Sequence, residues 1–276
     1  MKSVLLIGQS NMAGRGFLHE VKTICDERIF MLRNGRWQMM AEPIHFDRAV
    51  AGVGPAASFA EAWCNGNPGE TIGLIPCAEG GSSLDEWSQD GILFRHAVCE
   101  AKFAMENSEL IAILWHQGEN DSHSGKYKEY YQKLAQMVKA LRNELEAENI
   151  PFLIGGLGDY LGKTAFGANC TEYQQVNQEL YRYAEENGAC CYVTGKDLYA
   201  NPDGIHMNAE SQRRFGLRYY EAHRTGHHVE EPLPDERERV EALYKKEYTA
   251  SEKRYLALEK FTSGKMSFEA VMKELM

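Results

Sequence analysis

Three residues able to carry out serine-based chemistry lie far apart in the 276-residue chain. Ser10 directly follows an apolar run, and Asp203 and His206 are three residues apart in a turn-forming segment. That spacing can bring the carboxylate to one imidazole nitrogen and leave the other free to accept a proton from a serine hydroxyl. The three residues therefore predict nucleophilic acyl transfer, with Ser10 attacking, His206 as base and Asp203 orienting the base.

Each of these residues also has a purely structural interpretation. Ser10 could simply cap a helix that begins in the segment from Asn11 to Gly14, since serine is a favoured N-cap residue. Asp203 could be part of an ordinary turn with an incidental histidine nearby. It is the combination of the two segments that favours the catalytic interpretation. The chain has no Gly-x-Ser-x-Gly elbow and no Gly-Lys-Ser phosphate loop, so neither of those site classes is predicted.

Two further segments follow apolar runs and contain hydrogen-bond donors suited to an oxyanion. Gly80 and Gly81 can present bare backbone N–H groups, although a glycine pair is also typical of a plain turn. Gln117 carries a neutral amide donor suited to the same role. Glu119 could orient a neighbouring group or compete with Asp203 as the acid partner of His206.

The segment around position 119 also raises the question of a metal site. His116, Glu119, Asp121 and His123 lie within eight residues, and zinc sites are often built from such side chains. The spacing is not His-Glu-x-x-His, and the residues fall in a predicted loop. We therefore predict neither a metal nor another cofactor.

The elements that must position these residues alternate between strand-like and helix-like runs over the first 225 residues. The predicted strands are Val4–Ile7, Ile29–Leu32, Ile72–Pro76, Ile111–Trp115, Phe152–Leu157 and Cys190–Thr194. The predicted helices span 55–66, 92–106, 125–148, 170–187 and 207–225. This alternation predicts an α/β sandwich with a mostly parallel sheet, whose strands meet the polar segments at their carboxyl ends.

Composition narrows the class of protein further. The net charge of −10 argues against a broad nucleic-acid-binding surface. No apolar run approaches the roughly 18 residues of a membrane helix, and the apolar stretch after Lys2 is too short for a signal peptide. Seven cysteines without metal-type spacing favour free thiols in a reducing compartment. We therefore expect a cytoplasmic protein without nucleic-acid or membrane partners.

Composition changes after residue 228, which suggests a second unit. We predict a main domain over 1–228 and a charged helical appendage over 229–276, joined through the Pro-containing segment after Glu230. The appendage is predicted to contain two helices, broken near Ser263 and Gly264, with Ser267 capping the second. Its expected role is packing against the core or against a second subunit, so a homo-oligomer formed through these helices is one expectation.

Five motif blocks in chain order resemble those of SGNH-hydrolase-type carbohydrate esterases, in the sialate O-acetylesterase and acetylxylan esterase branch. The blocks are Gly8-Gln9-Ser10-Asn11-Met12-Ala13-Gly14, Gly52-Val53-Gly54-Pro55, Gly80-Gly81-Ser82, His116-Gln117-Gly118-Glu119-Asn120-Asp121 and Asp203-Gly204-Ile205-His206. The resemblance runs from residue 3 to about residue 222 and does not include the tail. It implies a three-layer α/β/α sandwich with a flavodoxin-like sheet.

The resemblance also implies metal-independent removal of acyl groups, usually acetyl, from sugar hydroxyls. Carried over by motif, Ser10 is the nucleophile, His206 the base and Asp203 its partner. The implied oxyanion donors are the amides of Ser10 and Gly80, with Gly81 as the fallback, together with the side chain of Gln117. Because Gly118 to Asp121 also spells Gly-x-Asn-Asp, Asn120 is an alternative donor. Glu119 is sometimes given the acid role in this branch.

Two other functions stay open at this stage. The substrate could be a small non-carbohydrate ester, or the chain could be a carbohydrate-binding relative that has lost catalysis. The expected partner is an acetylated sugar or oligosaccharide. Aromatic residues near the motifs, which could either stack against a sugar or pack in the core, are Phe46, Trp87, Trp115 and Tyr160.

Overall fold

A central sheet organises the computed structural model, which describes residues 1–275. The strands are β1 Lys2–Gly8, β2 Ile29–Arg33, β3 Arg36–Met39, β4 Ile72–Pro76, β5 Glu109–His116, β6 Phe152–Gly155 and β7 Cys190–Val193. The helices are α1 Ser10–Ala13, α2 Ala56–Gly66, α3 Ile92–Met105, α4 Tyr127–Leu145, α5 Tyr173–Glu186, α6 Ala209–Thr225, α7 Glu236–Leu243, α8 Ala250–Thr262 and α9 Phe268–Leu275. The predicted strands and the predicted helices before residue 226 are confirmed to within three residues at their ends.

The order of the strands places a topological switch at β1. The sheet runs β3-β2-β4-β1-β5-β6-β7, and every neighbouring pair except β2–β3 is parallel. From β1 the chain passes through β2, β3 and β4 on one side of the sheet and then crosses to β5 on the other, so a crevice opens at the carboxyl end of β1. Without the β2–β3 hairpin the order is that of a flavodoxin-like sheet, and the predicted fold class is confirmed.

Strand β3 was not predicted from the sequence. It is a short edge strand whose residues alternate between exposed and half-buried, so it carries no continuous apolar run. Asn34 and Gly35 connect it to β2, with φ angles of 51° and 69°. Asn-Gly is a strong signal for a two-residue hairpin turn, and this signal could have identified the strand.

Helices cover both faces of the sheet and create two cores. Trp87, Trp115 and Phe152 lie in the core on the side of α3, α4 and α5. Phe59 and Phe215 lie in the opposite core, between the sheet and helices α2 and α6. Burial on both faces explains why the parallel strands read as continuous apolar runs.

The tail forms three helices rather than the predicted two, because α7 precedes the pair α8 and α9. The predicted break is confirmed, since Gly264 lies between α8 and α9 with a φ of 71°. Ser267 Oγ accepts a hydrogen bond from the Ala270 amide at 3.2 Å, as expected of an N-cap. Across residues 1–275, no helix combines the length and apolar character needed to cross a membrane.

Candidate active site

The sharp turn after β1 places Ser10 at the switch point of the sheet. Gly8 has a φ of 128°, and a Cβ on it would lie 2.1 Å from the carbonyl oxygen of His116 on β5. The Gln9 amide donates to that same carbonyl at 2.8 Å. Glycine is therefore required where β1 and β5 come closest, and the chain then turns directly into α1.

Ser10 is the first residue of α1 and does not cap it. The cap position belongs to Gln9, whose side chain makes no capping hydrogen bond. Structural capping therefore does not explain the serine. Ser10 is 4% exposed, and it lines a cleft of about 540 Å³ together with His206.

The geometry of the three predicted residues is that of a catalytic triad. His206 Nε2 lies 3.1 Å from Ser10 Oγ, and His206 Nδ1 lies 2.8 Å from Asp203 Oδ2. One imidazole nitrogen thus contacts the hydroxyl and the other contacts the carboxylate, as required for a base oriented by an acid.

The turn itself keeps Asp203 ionised. Its Oδ1 accepts hydrogen bonds from the Ile205 and His206 amides, both at 3.0 Å. Partial burial acts to raise the pKa of Asp203, but the hydrogen bonds from His206 and Ile205 and the nearby imidazole outweigh it, so the pKa lies below its usual range. A carboxylate in this position can stabilise an imidazolium that forms on His206.

Glu119, the competing acid, faces other partners. Its Oε1 accepts from the side-chain Nδ2 of Asn11 and lies 3.2 Å from His116 Nε2. Burial alone would raise the pKa of Glu119, but His116 and the hydrogen bond from Asn11 hold it below its usual range. The carboxylate in contact with His206 is therefore that of Asp203.

The structure separates the two predicted glycine donors. The Gly80 amide already donates to Asp47 Oδ2 at 2.8 Å, and Asp47 is in turn paired with the buried Arg15. The Gly81 amide has no acceptor among residues 1–275, and Gly81 lines the cleft with a φ of 80°. Gly81, the fallback in the sequence analysis, is thus the residue with an available N–H.

Gln117 is not brought to the cleft. Its side chain is fully buried, and its Nε2 donates to Gln9 Oε1, the Ser82 carbonyl and Asp121 Oδ2. Asn120 instead lines the cleft, and its Nδ2 donates to the Gly81 carbonyl at 2.8 Å. This corrects the predicted placement of Gln117, because the turn after β5 points its side chain inward and leaves Asn120 at the surface of the cleft.

Of the residues considered for a metal, His116 and Glu119 contact each other, and the other two have different surroundings. Asp121 Oδ2 accepts from Gln117 and from the Leu84 amide, whereas His123 lines the cleft. Within the described part of the chain, no group of three or more His, Cys, Asp and Glu side chains is arranged to hold a metal ion.

The cleft has an apolar and cationic rim that sequence reasoning missed. Phe166 is 73% exposed and lines the cleft with Val50 and Arg48. Of the aromatic residues considered earlier, Trp87 and Trp115 are fully buried in the core. Phe166 gave no sequence signal, because it lies in a five-residue 3₁₀ helix, Ala165–Asn169, which is too short to show a periodic pattern.

Comparisons with known proteins identify the family of the chain. The profile of the family described as "Carbohydrate esterase, sialic acid-specific acetylesterase" matches residues 1–225. The chain is 30% identical over 246 residues to a protein of Arabidopsis thaliana named as a probable carbohydrate esterase, covering 79% of this chain and 88% of that one.

Solved structures share the fold. An Arabidopsis thaliana protein superposes with a TM-score of 0.71 at 27% identity, covering 81% of this chain and 98% of that one. NanS has a TM-score of 0.64 at 17% identity, and the match covers 82% of this chain and 97% of NanS. A carbohydrate acetylesterase from Xanthomonas citri has a TM-score of 0.59 at 18% identity, and the match covers 81% of this chain and 56% of that one. At these lower identities the likeness shows the fold alone. On the match over residues 1–225, the chain belongs to the sialic acid-specific acetylesterase family of carbohydrate esterases.

Proposed function

We propose that this chain is a serine esterase that removes acetyl groups from the hydroxyls of carbohydrates. The observation that carries the proposal is the line of contacts from Asp203 through His206 to Ser10, at 2.8 and 3.1 Å. This line ends in a cleft large enough for a small ligand. Membership of a carbohydrate esterase family supports the ester bond as the target.

The first half of the reaction forms an acyl-enzyme. Ser10 Oγ attacks the ester carbonyl carbon while His206 Nε2 takes the hydroxyl proton. The tetrahedral intermediate then collapses, the C–O bond to the sugar breaks, and His206 gives its proton to the leaving oxygen. Acetyl stays on Ser10 and the sugar leaves with a free hydroxyl.

The second half restores the enzyme. A water molecule attacks the acetyl carbonyl while His206 accepts one of its protons. Collapse of this intermediate breaks the bond to Ser10 Oγ, which recovers its proton from His206. Acetate is released, and Asp203 stays ionised throughout because its pKa lies below its usual range.

Three groups would stabilise the oxyanion in both halves. The Ser10 and Gly81 amides have no acceptor among residues 1–275, and both residues line the cleft. Nδ2 of Asn120 uses one hydrogen in its bond to the Gly81 carbonyl, which leaves the other for the reacting oxygen. Fixed donors of this kind are among the strongest contributors to acyl transfer.

The rim of the cleft favours a sugar over a small non-carbohydrate ester. Phe166 presents an aromatic side chain and Arg48 a multidentate donor, which suits the apolar face and the hydroxyl edge of a pyranose ring. The Phe166 amide donates to the Asp203 carbonyl at 2.9 Å, so the aromatic residue is attached to the same turn as the base.

Acetate release from a panel of acetylated oligosaccharides and from p-nitrophenyl acetate tests the proposal. Ser10→Ala should lower kcat by about 10⁵–10⁶-fold on every substrate. Full activity of Ser10→Ala would contradict the mechanism. Failure of a fluorophosphonate probe to label Ser10 in the folded protein would favour the non-catalytic alternative.

The Phe166 variants decide the substrate class in the same assay. Phe166→Ala should raise KM for acetylated sugars by about tenfold and leave p-nitrophenyl acetate unchanged, while Phe166→Trp should keep sugar activity. Equal effects on both substrates, or no preference of the wild type for sugars, would favour the small-ester alternative.

A further inference from the structure

The side chain next to the nucleophile holds the backbone on both sides of the base. Asn11 is fully buried, and its Oδ1 accepts from the Met207 amide at 2.8 Å. Its Nδ2 donates to the Ile205 carbonyl at 3.1 Å. These two groups belong to the peptide units that flank His206, so one side chain contacts the main chain immediately before and after the imidazole.

Glu119 determines which way the Asn11 amide faces. Nδ2 of Asn11 also donates to Glu119 Oε1, and this carboxylate lies 3.2 Å from His116 Nε2. An ionised carboxylate can only accept, so the NH₂ group of Asn11 must point toward Glu119. The oxygen of Asn11 is then left to accept from Met207.

We propose that Asn11, oriented by the buried carboxylate of Glu119, is a positioning residue that sets the base at hydrogen-bond distance from the nucleophile. The inference rests on the proposed function. Asn11 and His116 are not among the residues that line the cleft, whereas Glu119 is.

The connectivity of the chain explains why such a residue is needed. Ser10 and His206 are separated by 196 positions and belong to different elements. Asp203 fixes the rotation of the imidazole but lies on the same turn, so it cannot fix the distance from that turn to β1 and α1. Asn11 makes this link, and a misplacement of about 1 Å can cost about 10²-fold in rate.

The variant Asn11→Asp tests the proposal through its pH dependence. It places two carboxylates in contact, which can share one proton at low pH but repel each other once that proton is lost. Its kcat should therefore fall with rising pH, and the wild type, which lacks the second carboxylate, should not show this fall. The other titratable groups near this pair are His116, Tyr130, Tyr160, Cys170, Asp203, His206 and Tyr219.

A reciprocal exchange checks that the contact with Glu119 is the cause. At pH 8, Asn11→Asp should lower kcat by about 10²-fold with KM for p-nitrophenyl acetate nearly unchanged. The double variant Asn11→Asp/Glu119→Gln moves the amide donor to position 119. Its kcat should be about tenfold higher than that of Asn11→Asp and should no longer fall with rising pH. Glu119→Gln alone keeps an acceptor for Asn11, so its kcat should fall less than that of Asn11→Asp.

Asn177→Asp is the matched control. Asn177 also holds a backbone segment, donating to the Leu157 carbonyl and accepting from its amide, but it does not contact the turn of His206. It should leave the shape of the pH profile unchanged. Thermal unfolding of each variant separates loss of fold from loss of alignment.

The outcomes separate the inference from the proposed function. A wild-type pH profile for Asn11→Asp, or a double variant no better than that single variant, would overturn the positioning role. Retained activity of Ser10→Ala would instead overturn the proposed function itself. If Ser10→Ala is inactive and the double variant recovers activity, both are supported.

Discussion

At the scale of single residues, the site depends on which polar groups still have a hydrogen bond to offer. Gln117 and Gly80 carry suitable donors, but the buried network around Gln9, Asp121 and Asp47 already uses them. A donor engaged in the folded protein must break that bond before it can hold a reacting oxygen, and buried polar groups are costly to leave unpaired. Gly81 and Asn120 do not carry that cost.

Asn120→Ala should therefore lower kcat by about 10²–10³-fold, the usual cost of losing one oxyanion donor. The melting temperature should change little, because this side chain is partly exposed. Gln117→Ala should instead lower the melting temperature, since it removes donors from a fully buried network. Steady-state kinetics and thermal unfolding of both variants check this, and wild-type kcat in Asn120→Ala would exclude Asn120 as a donor.

At the scale of elements, the close approach of β1 and β5 positions Ser10. Both strands are parallel and buried, and they are paired along their whole length from Lys2 to Gly8. The turn that presents Ser10 begins where the two backbones are nearest. The loop carrying His206 then contacts this turn through Asn11, so His206 and Ser10 are positioned from the same point of the sheet.

Gly8→Ala should destabilise the fold by about 3 kcal/mol or more and reduce activity further than stability alone explains. The new Cβ would meet the His116 carbonyl at 2.1 Å, and the residue would keep a φ that side chains rarely adopt. Gly188→Ala is the control, because nothing lies within 4 Å of its Cβ, and it should change stability by less than about 1 kcal/mol. Urea unfolding and acetate release measure both effects, and a stable, active Gly8→Ala would contradict this account of the turn.

At the scale of the whole molecule, buried ion pairs attach the C-terminal helices to the esterase fold. Glu236 on α7 accepts from Arg214 and Arg218 on α6, and Arg218 also donates to the carbonyls of Thr194 and Lys196. Lys246, between α7 and α8, lies 2.6 Å from the buried Asp26. The match to the family profile ends at residue 225, so these contacts hold in place a C-terminal segment that lies outside the match.

Glu236→Gln should lower the free energy of unfolding by about 3 kcal/mol at pH 7, because it leaves two buried guanidinium groups without their carboxylate. Glu238→Gln, exposed on the same helix, should change it by less than about 0.5 kcal/mol. Urea unfolding of both variants provides the comparison. Equal effects would show that the pairing does not hold α7 in place.

The contacts of Glu236 with Arg214 and Arg218 also predict how the attachment of α7 depends on pH. Burial acts to raise the pKa of Glu236, but Arg218 and Arg214 outweigh it and hold the pKa below its usual range. A lowered folded pKa means that the stabilisation is fully present above the unfolded value of about 4.3 and is lost as pH falls through the folded pKa. The stability gap between wild type and Glu236→Gln should therefore close in strong acid, and a gap independent of pH would contradict the assignment.

The order of elements and the three candidate catalytic residues could be predicted from the sequence itself. Apolar runs such as Ile72–Pro76 are continuous because parallel strands are buried on both faces, and Ser10, Asp203 and His206 are recognisable by type and spacing. Strand β3 escaped prediction because an exposed edge strand carries no such run.

Tertiary structure alone decided which hydrogen bonds remain available and which side chains face the cleft. Gly80 and Gly81 are identical in type, and only Asp47, which follows a different strand, distinguishes them by occupying one amide. The choice of Asp203 over Glu119 likewise depended on Asn11 and His116, which lie far apart in the chain. Local sequence determines what a residue can donate or accept, whereas the assignment of its partners depends on packing between distant segments.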